Sequence, residues 1–81
     1  MYMLRKICGT IIKVAVLAEY EDQPEQEVDI TLDSGPMIEM CLDEEIVKTL
    51  KTMINQTALF EVTDVTPCGQ HARAITFDLI N

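Results

Sequence analysis

Cys68 and His71 are the residues of this 81-residue chain whose types suit nucleophilic chemistry. A thiolate beside an imidazole can act as an activated nucleophile. His71 is the sole histidine, and it follows Cys68 by three residues in a predicted turn that also contains Gly69. Catalysis needs in addition a pocket and a set of donors that stabilise developing charge, which so small a core hardly supplies. We therefore expect no enzymatic activity and no catalytic residue.

Metal chemistry finds little support in the spacing of the candidate ligands. Cys8, Cys41 and Cys68 are 33 and 27 residues apart, which matches neither a disulfide framework nor a paired zinc-ligand motif. We expect free thiols, with Cys8 and Cys41 packed as small apolar side chains in strands and Cys68 exposed in a turn. Residues 19–29 offer carboxylates to calcium, but they lack the alternating pattern of a dedicated calcium loop. We expect no metal site and no cofactor.

The distribution of charge is the strongest chemical signal in the sequence. The chain has a formal net charge of −8, yet residues 1–13 carry +3 and residues 48–81 are neutral. Residues 14–47 hold eleven acids and no lysine or arginine, so they contribute −11. Affinity for nucleic acid comes mostly from Lys and Arg contacts with phosphates, and we therefore expect no nucleic-acid partner. Such a field instead attracts a basic protein surface, in a salt-dependent way.

Most of these acids are predicted to form a partner-binding surface, which we call the acidic face. Its ten members are Glu19, Glu21, Asp22, Glu25, Glu27, Asp29, Glu39, Asp43, Glu44 and Glu45. One form of this hypothesis is an inhibitor whose carboxylates mimic phosphates in a nucleic-acid-binding groove. Another is a subunit of a larger assembly, or a homo-oligomer, in which a neighbour covers the strand edges. The plainest alternative is that the charge only keeps a small protein in solution.

Composition places these residues on one small globular domain that spans residues 1–81. The chain is 48% hydrophobic and 25% charged, the ordinary balance of a folded domain. The longest apolar run, from Val14 to Ala18, is far shorter than the roughly 20 residues that cross a bilayer. The basic pair Arg5 and Lys6 follows the first apolar residues, which is not the pattern of a signal peptide. We expect a cytoplasmic protein with no membrane partner.

Hydrophobic patterning predicts three consecutive strands in the first half of the chain. Residues 6–18 are apolar on both faces, which suits a long strand that curls through two halves of a barrel, with Gly9 relieving the bend. Residues 27–33 and 37–42 alternate between apolar and polar side chains. The segment between them, residues 33–36, contains Asp, Ser, Gly and Pro and predicts a turn that makes these two strands a hairpin.

One helix is predicted to follow, with Asp43 at its N-cap and Asn55 as its left-handed terminator. Glu44 and Glu45 suit the positive end of the helix dipole, and Glu44 is placed to pair with Lys48 one turn later. The helix should have about three turns. Its apolar stripe comprises Ile46, Val47, Leu50, Met53 and Ile54.

Two further strands, residues 57–66 and 72–80, complete the pattern. In the first of them, one face carries Ala58, Phe60 and Val62. In the second, Ile75, Phe77 and Leu79 are predicted to point inward.

This order of elements, β-β-β-α-β-β, resembles the oligonucleotide/oligosaccharide-binding (OB) barrel, a mostly β fold of five strands. The chain is also similar to small bacterial OB-like barrel domains of unknown function, on the segments Gly9-Thr10, Asp33-Ser34-Gly35 and Asp43-Glu44-Glu45. The resemblance implies, as an alternative function, the binding of a ligand or a nucleic-acid single strand. OB barrels that bind single strands do so through aromatic residues over a basic groove, whereas residues 28–42 contain no aromatic, Lys or Arg. An SH3-like barrel is the alternative fold, although it normally has only a short turn of helix.

Overall fold

The computed structural model describes residues 5–63, residue 66 and residues 70–80. These residues form five strands and one helix. In chain order they are β1 (Arg5–Glu19), β2 (Glu25–Leu32), β3 (Met37–Asp43), α1 (Glu44–Lys51), β4 (Thr57–Thr63) and β5 (His71–Ile80). No helix in this described part of the chain has the length and apolar character to span a membrane.

The five strands close into a barrel in the order β1-β2-β3-β5-β4, with β4 paired back to β1. All pairs are antiparallel except β3 with β5, which run parallel over three residue pairs. The predicted fold class, a mostly β five-stranded barrel with one helix between strands three and four, is confirmed. The first half of β1 pairs with β4 and the second half with β2. Register shifts near Ile11 and Val16 interrupt its pairing with β2, and such bulges increase the local twist of a strand.

Gly9 lies where β1 approaches the side chain of Leu32. A Cβ atom at this position would lie 3.1 Å from Leu32 Cδ1 and 3.2 Å from Leu32 Cβ. Close packing across the barrel therefore favours glycine at this position, because a larger residue would force Leu32 to shift. The role of Gly9 in relieving the bend of β1 stays a prediction.

Alternate residues of the strands fill the interior of the barrel. Among the described residues, fourteen apolar side chains are buried and no polar or charged residue is. Those of β2 and β3 are the ones predicted to face inward: Val28, Ile30, Leu32, Ile38, Met40 and Leu42. Phe60 of β4 is the largest of the fully buried side chains. The outward positions of β2 and β3 are thereby fixed as well, because successive side chains of a strand point to opposite faces.

The inward face of β5 differs from the prediction at Ile75, which is 53% exposed. The pairing with β4 passes from Glu61↔Thr76 to Val62↔Ala74 and so skips Ile75. Ala72 and Ala74, before this bulge, are buried, whereas after the bulge it is Phe77 that packs against the core. Leu79 also packs there. One extra residue changes the face that the strand presents, which strict alternation along the sequence does not reveal.

The helix begins as predicted but is shorter. Asp43 Oδ1 accepts a hydrogen bond of 2.9 Å from the Glu45 N–H, which confirms the N-cap. Helix α1 contains eight residues, about two turns instead of three. Thr52 ends it, because its N–H and its hydroxyl both donate to the Thr49 carbonyl. Asn55 has the predicted left-handed conformation, with a φ of 78°, but it lies three residues beyond Thr52 and so does not terminate α1, which corrects that part of the prediction.

Two side chains of α1 also depart from the predicted pattern. Ile46 is 42% exposed instead of packing in the apolar stripe. Lys48 pairs with Glu45 at 3.6 Å and not with Glu44. Val47 and Leu50 are the helical residues that reach the core, because a two-turn helix contacts the barrel over a narrow strip.

Replacing Asp43 with alanine should lower the free energy of unfolding by about 0.5–2 kcal/mol, because the first turn of α1 loses its side-chain acceptor. Urea denaturation followed by circular dichroism measures this change. Lys51→Ala, an exposed substitution at the other end of the same helix, serves as the control and should have a much smaller effect. Equal losses in the two variants would contradict a capping role for Asp43.

Candidate functional site

An open groove of about 400 Å³ lies at one end of the barrel, between the β1–β2 loop and the start of α1. A backbone hydrogen bond of 3.0 Å from the Glu44 N–H to the Pro24 carbonyl holds the loop against the helix. Gln26 Nε2 donates to Glu19 Oε1 at 3.0 Å, which ties the two strands together below the loop. The residues that line the groove are Glu19, Tyr20, Glu21, Gln23, Pro24, Gln26 and Glu44.

The groove is negative and aromatic in character. Three of its lining residues are glutamates and none is Lys or Arg. Glu19, Glu21 and Glu44 form no ion pair with any described residue. Tyr20 is 43% exposed beside them. A lysine or arginine side chain suits this arrangement, because carboxylates accept its N–H groups while an aromatic face attracts its charge.

The other predicted members of the acidic face lie in four places: beside the groove, at the paired ends of β2 and β3, on the surface of α1 and on the outer face of the sheet. Asp22 adjoins the groove, since it lines a neighbouring cavity with Tyr20 and Glu44. Glu25 opens β2 as the strand partner of Asp43, whose carboxylate already caps α1. Glu45 is engaged with Lys48 on the exposed surface of the helix. The groove thus collects three of the ten predicted carboxylates with Asp22 beside it, while Asp43 and Glu45 have local partners.

The remaining three members lie on the outer face of the sheet. Glu27 and Asp29 of β2 alternate with buried residues, so they point away from the core, as does Glu39 of β3. Asp29 and Glu39 are direct cross-strand partners. His71 of β5 lies beside them, with its Nε2 atom 4.0 Å from Glu39 Oε2.

Asp29, Glu39 and His71 form a cluster that we call the triad. Each offers one ligand atom, and these atoms lie within 4.8 Å of one another. Asp29 Oδ1 is buried and accepts no hydrogen bond from the described residues. The sequence gives no sign of this cluster, because His71 is 32 residues from Glu39 in the chain. The predicted pairing of His71 with Cys68 falls on a residue outside the described part of the chain.

The two described cysteines are exposed, which corrects the prediction that they pack inside. Cys41 lies between the buried residues Met40 and Leu42 and therefore points outward. Cys8 is exposed next to Ile7, which packs against the core. Side chains alternate between the inner and outer faces of a strand, and this alternation, not the apolar character of cysteine, decides that these thiols are exposed.

Comparison with protein-family models, with curated proteins and with solved structures finds no match to this chain. The groove and the strand order are therefore the features that bear on its function.

Proposed function

We propose that the protein is a non-enzymatic interaction module that docks a basic protein surface through its acidic face. The observation that carries this proposal is the groove, in which glutamates from β1, the β1–β2 loop and α1 converge around Tyr20 without a Lys or Arg. A basic side chain of the partner would enter the groove between these carboxylates. The net charge of −8 adds long-range attraction that speeds the encounter.

The three glutamates of the groove are exposed in the free protein, so the strength of this contact depends on how far a bound partner excludes water from them. A hydrogen bond to a charged group contributes about 1.5–3 kcal/mol when water is excluded from it, whereas an exposed ion pair contributes about 0–1 kcal/mol. The groove therefore supplies local specificity, while the carboxylates around it, such as Glu25 and Glu27, contribute mainly to attraction at a distance. Binding through such a surface should weaken as salt rises.

The strand order supports a place for this chain among the OB-like barrels, of which we propose it is a small bacterial member. In such barrels the outer face of strands two and three is a binding surface for oligonucleotides and oligosaccharides. Here that face carries Glu27, Asp29 and Glu39, which would repel phosphates. This arrangement favours an inhibitor that presents carboxylates in place of phosphates over the alternative, a ligand-binding or single-strand-binding OB domain.

A subunit role, or a homo-oligomer, is the second form of the proposal. Beyond Arg73, no pairing of β5 with β3 occurs among the described residues, so one edge of β5 lacks a ladder there. Ile75 and Ile80 are exposed on the same strand. A neighbouring strand could cover this edge. We place the protein in the cytoplasm, where its exposed thiols Cys8 and Cys41 would remain reduced.

Titration with a labelled peptide rich in Arg and Lys tests the docking proposal. The double variant Glu21→Gln/Glu44→Gln removes two charges from the groove, and Glu61→Gln/Asp78→Asn removes two charges from β4 and β5 as a matched control. The groove variant should weaken binding by about tenfold or more, since two charge-assisted contacts are lost. The control should stay close to the parent protein. Raising salt from about 0.05 M to about 0.5 M should weaken binding by the parent protein strongly.

Two results would count against the proposal. Equal weakening in the groove variant and the control would show that only diffuse charge matters, as expected if the acids merely solubilise the protein. Tight binding of a labelled single-stranded oligonucleotide at low salt would instead support the OB-type alternative. Co-purification from the host at both salt concentrations then identifies the natural partner and the electrostatic share of its binding.

A further inference from the structure

We propose that Asp29, Glu39 and His71 together bind one divalent transition-metal ion, best matched by Zn²⁺. The site lies on the outer face of β2, β3 and β5, on different residues from those that line the groove. Asp29 and Glu39 also belong to the acidic face, but none of the three side chains lines the groove, so zinc binding is tested separately from docking.

The pairing of three strands brings the ligands together. Asp29 and Glu39 are cross-strand partners in the β2–β3 hairpin. The parallel pairing of β3 with β5 places His71 opposite Met37, two residues from Glu39 on the same face. Zinc bonds of about 2.0–2.2 Å at tetrahedral angles put ligand atoms about 3.4 Å apart. The triad atoms lie within 4.8 Å, and rotation of the partly exposed Glu39 and His71 side chains can close the difference.

The surroundings of Asp29 also favour a bound cation. Its Oδ1 atom is buried, yet no described residue donates a hydrogen bond to it. Its carboxylate also faces that of Glu39 directly across the ladder, and like charges in that position destabilise a sheet. Arg73 is the strand partner of Glu39 on the other side but forms no ion pair with it within the described part of the chain. A bound cation would satisfy the buried oxygen and neutralise both carboxylates.

The ligand types select the class of ion. Calcium takes six to eight oxygen ligands, and magnesium keeps most of its waters, so neither gains from an imidazole. Zinc is bound by histidine nitrogen and carboxylate oxygen, and three protein ligands leave a fourth position for water or for a partner's side chain. The Glu39 and His71 side chains are 25% and 42% exposed, so an ion can enter from solvent.

Such an ion would join β3 to β5, which pair in parallel through three residue pairs in the described part of the chain. Because the three ligands meet only in the folded chain, the ion binds the native state and not the unfolded state. Zinc should therefore raise the melting temperature in a concentration-dependent way.

Isothermal titration with Zn²⁺ in a non-chelating buffer, together with thermal unfolding, tests the site. The parent background for every variant is Cys8→Ser/Cys41→Ser/Cys68→Ser, because cysteine thiolates also bind zinc. This protein should bind one Zn²⁺ and melt at a higher temperature with it. Asp29→Asn and His71→Ala should each weaken binding by about tenfold or more, since loss even of a group that only supports a ligand costs about 10–100-fold.

Glu27→Gln is the matched control, because it removes one carboxylate from the same face of the same strand. It should leave zinc affinity and the zinc-induced rise in melting temperature unchanged. Asp29→Asn keeps the size and shape of the side chain, and circular dichroism checks that the barrel is intact. The proposal is overturned if the cysteine-free protein shows no saturable binding, if it prefers Ca²⁺ or Mg²⁺, or if Asp29→Asn and His71→Ala bind as tightly as the parent.

Discussion

Replacing Phe60 with alanine should lower the free energy of unfolding by about 3–5 kcal/mol, the usual cost of emptying a large aromatic site in a core. Phe60 is fully buried. Its cross-strand partners are Ile7 of β1 and Phe77 of β5, one on each side of β4. The rings of Phe60 and Phe77 stack with their centroids 6.1 Å apart. A domain of this size has a total stability of about 5–15 kcal/mol, so the loss brings it close to unfolding.

Urea denaturation of the parent and the variant measures the change, provided that the slope of unfolding against urea concentration stays the same. Phe77→Ala is the matched control, because it removes the same ring from a half-buried position on the neighbouring strand. Its cost should be clearly smaller. If the two variants lose the same stability, Phe60 is not the centre of the core.

Replacing Gly9 with valine should cost about 1–3 kcal/mol, through overpacking against Leu32. A Cβ at Gly9 already lies 3.1 Å from Leu32 Cδ1, and the two branches of valine extend further. Leu32 is itself 1% exposed and cannot move toward solvent without opening the core. The strain is therefore expected to lower the free energy of unfolding of the whole barrel.

A double-mutant cycle with Leu32→Ala isolates this contact. Shortening Leu32 makes room for the new side chain. The double variant should therefore lose about 0.5–3 kcal/mol less unfolding free energy than the sum of the two single losses. Gly35→Ala is the control, because Gly35 has a φ of 112° but a Cβ there meets no atom within 4 Å. That substitution should destabilise through backbone strain, and Leu32→Ala should not rescue it. Additive effects of Gly9→Val and Leu32→Ala would contradict the overpacking explanation.

Much of the β2–β3 hairpin is determined by the sequence itself. Alternation identifies Val28 and Ile30 as inward residues, and a turn within residues 33–36 brings Asp29 close to Glu39. The capping of α1 by Asp43 is equally local, because the donor lies two residues away. Such features depend on the chemistry of neighbouring residues, and for that reason a single sequence predicts them.

The two candidate sites required contacts between residues distant in the chain. Sequence identified the ten carboxylates but could not show that Glu44 meets the β1–β2 loop, because a backbone hydrogen bond from Glu44 to Pro24 makes that approach. It also could not place His71 beside Glu39, since the parallel pairing of β3 with β5 follows from closure of the barrel. The bulge at Ile75 has the same origin.

The periodicity of apolar residues and the chemistry of turn residues therefore determined the strands, their outward carboxylates and the start of the helix. The tertiary structure alone decided which of those carboxylates meet, which glycine must stay small and where the single histidine lies. The physical reason is that the register of a closed barrel is a property of all five strands at once. No segment of the chain contains that information by itself.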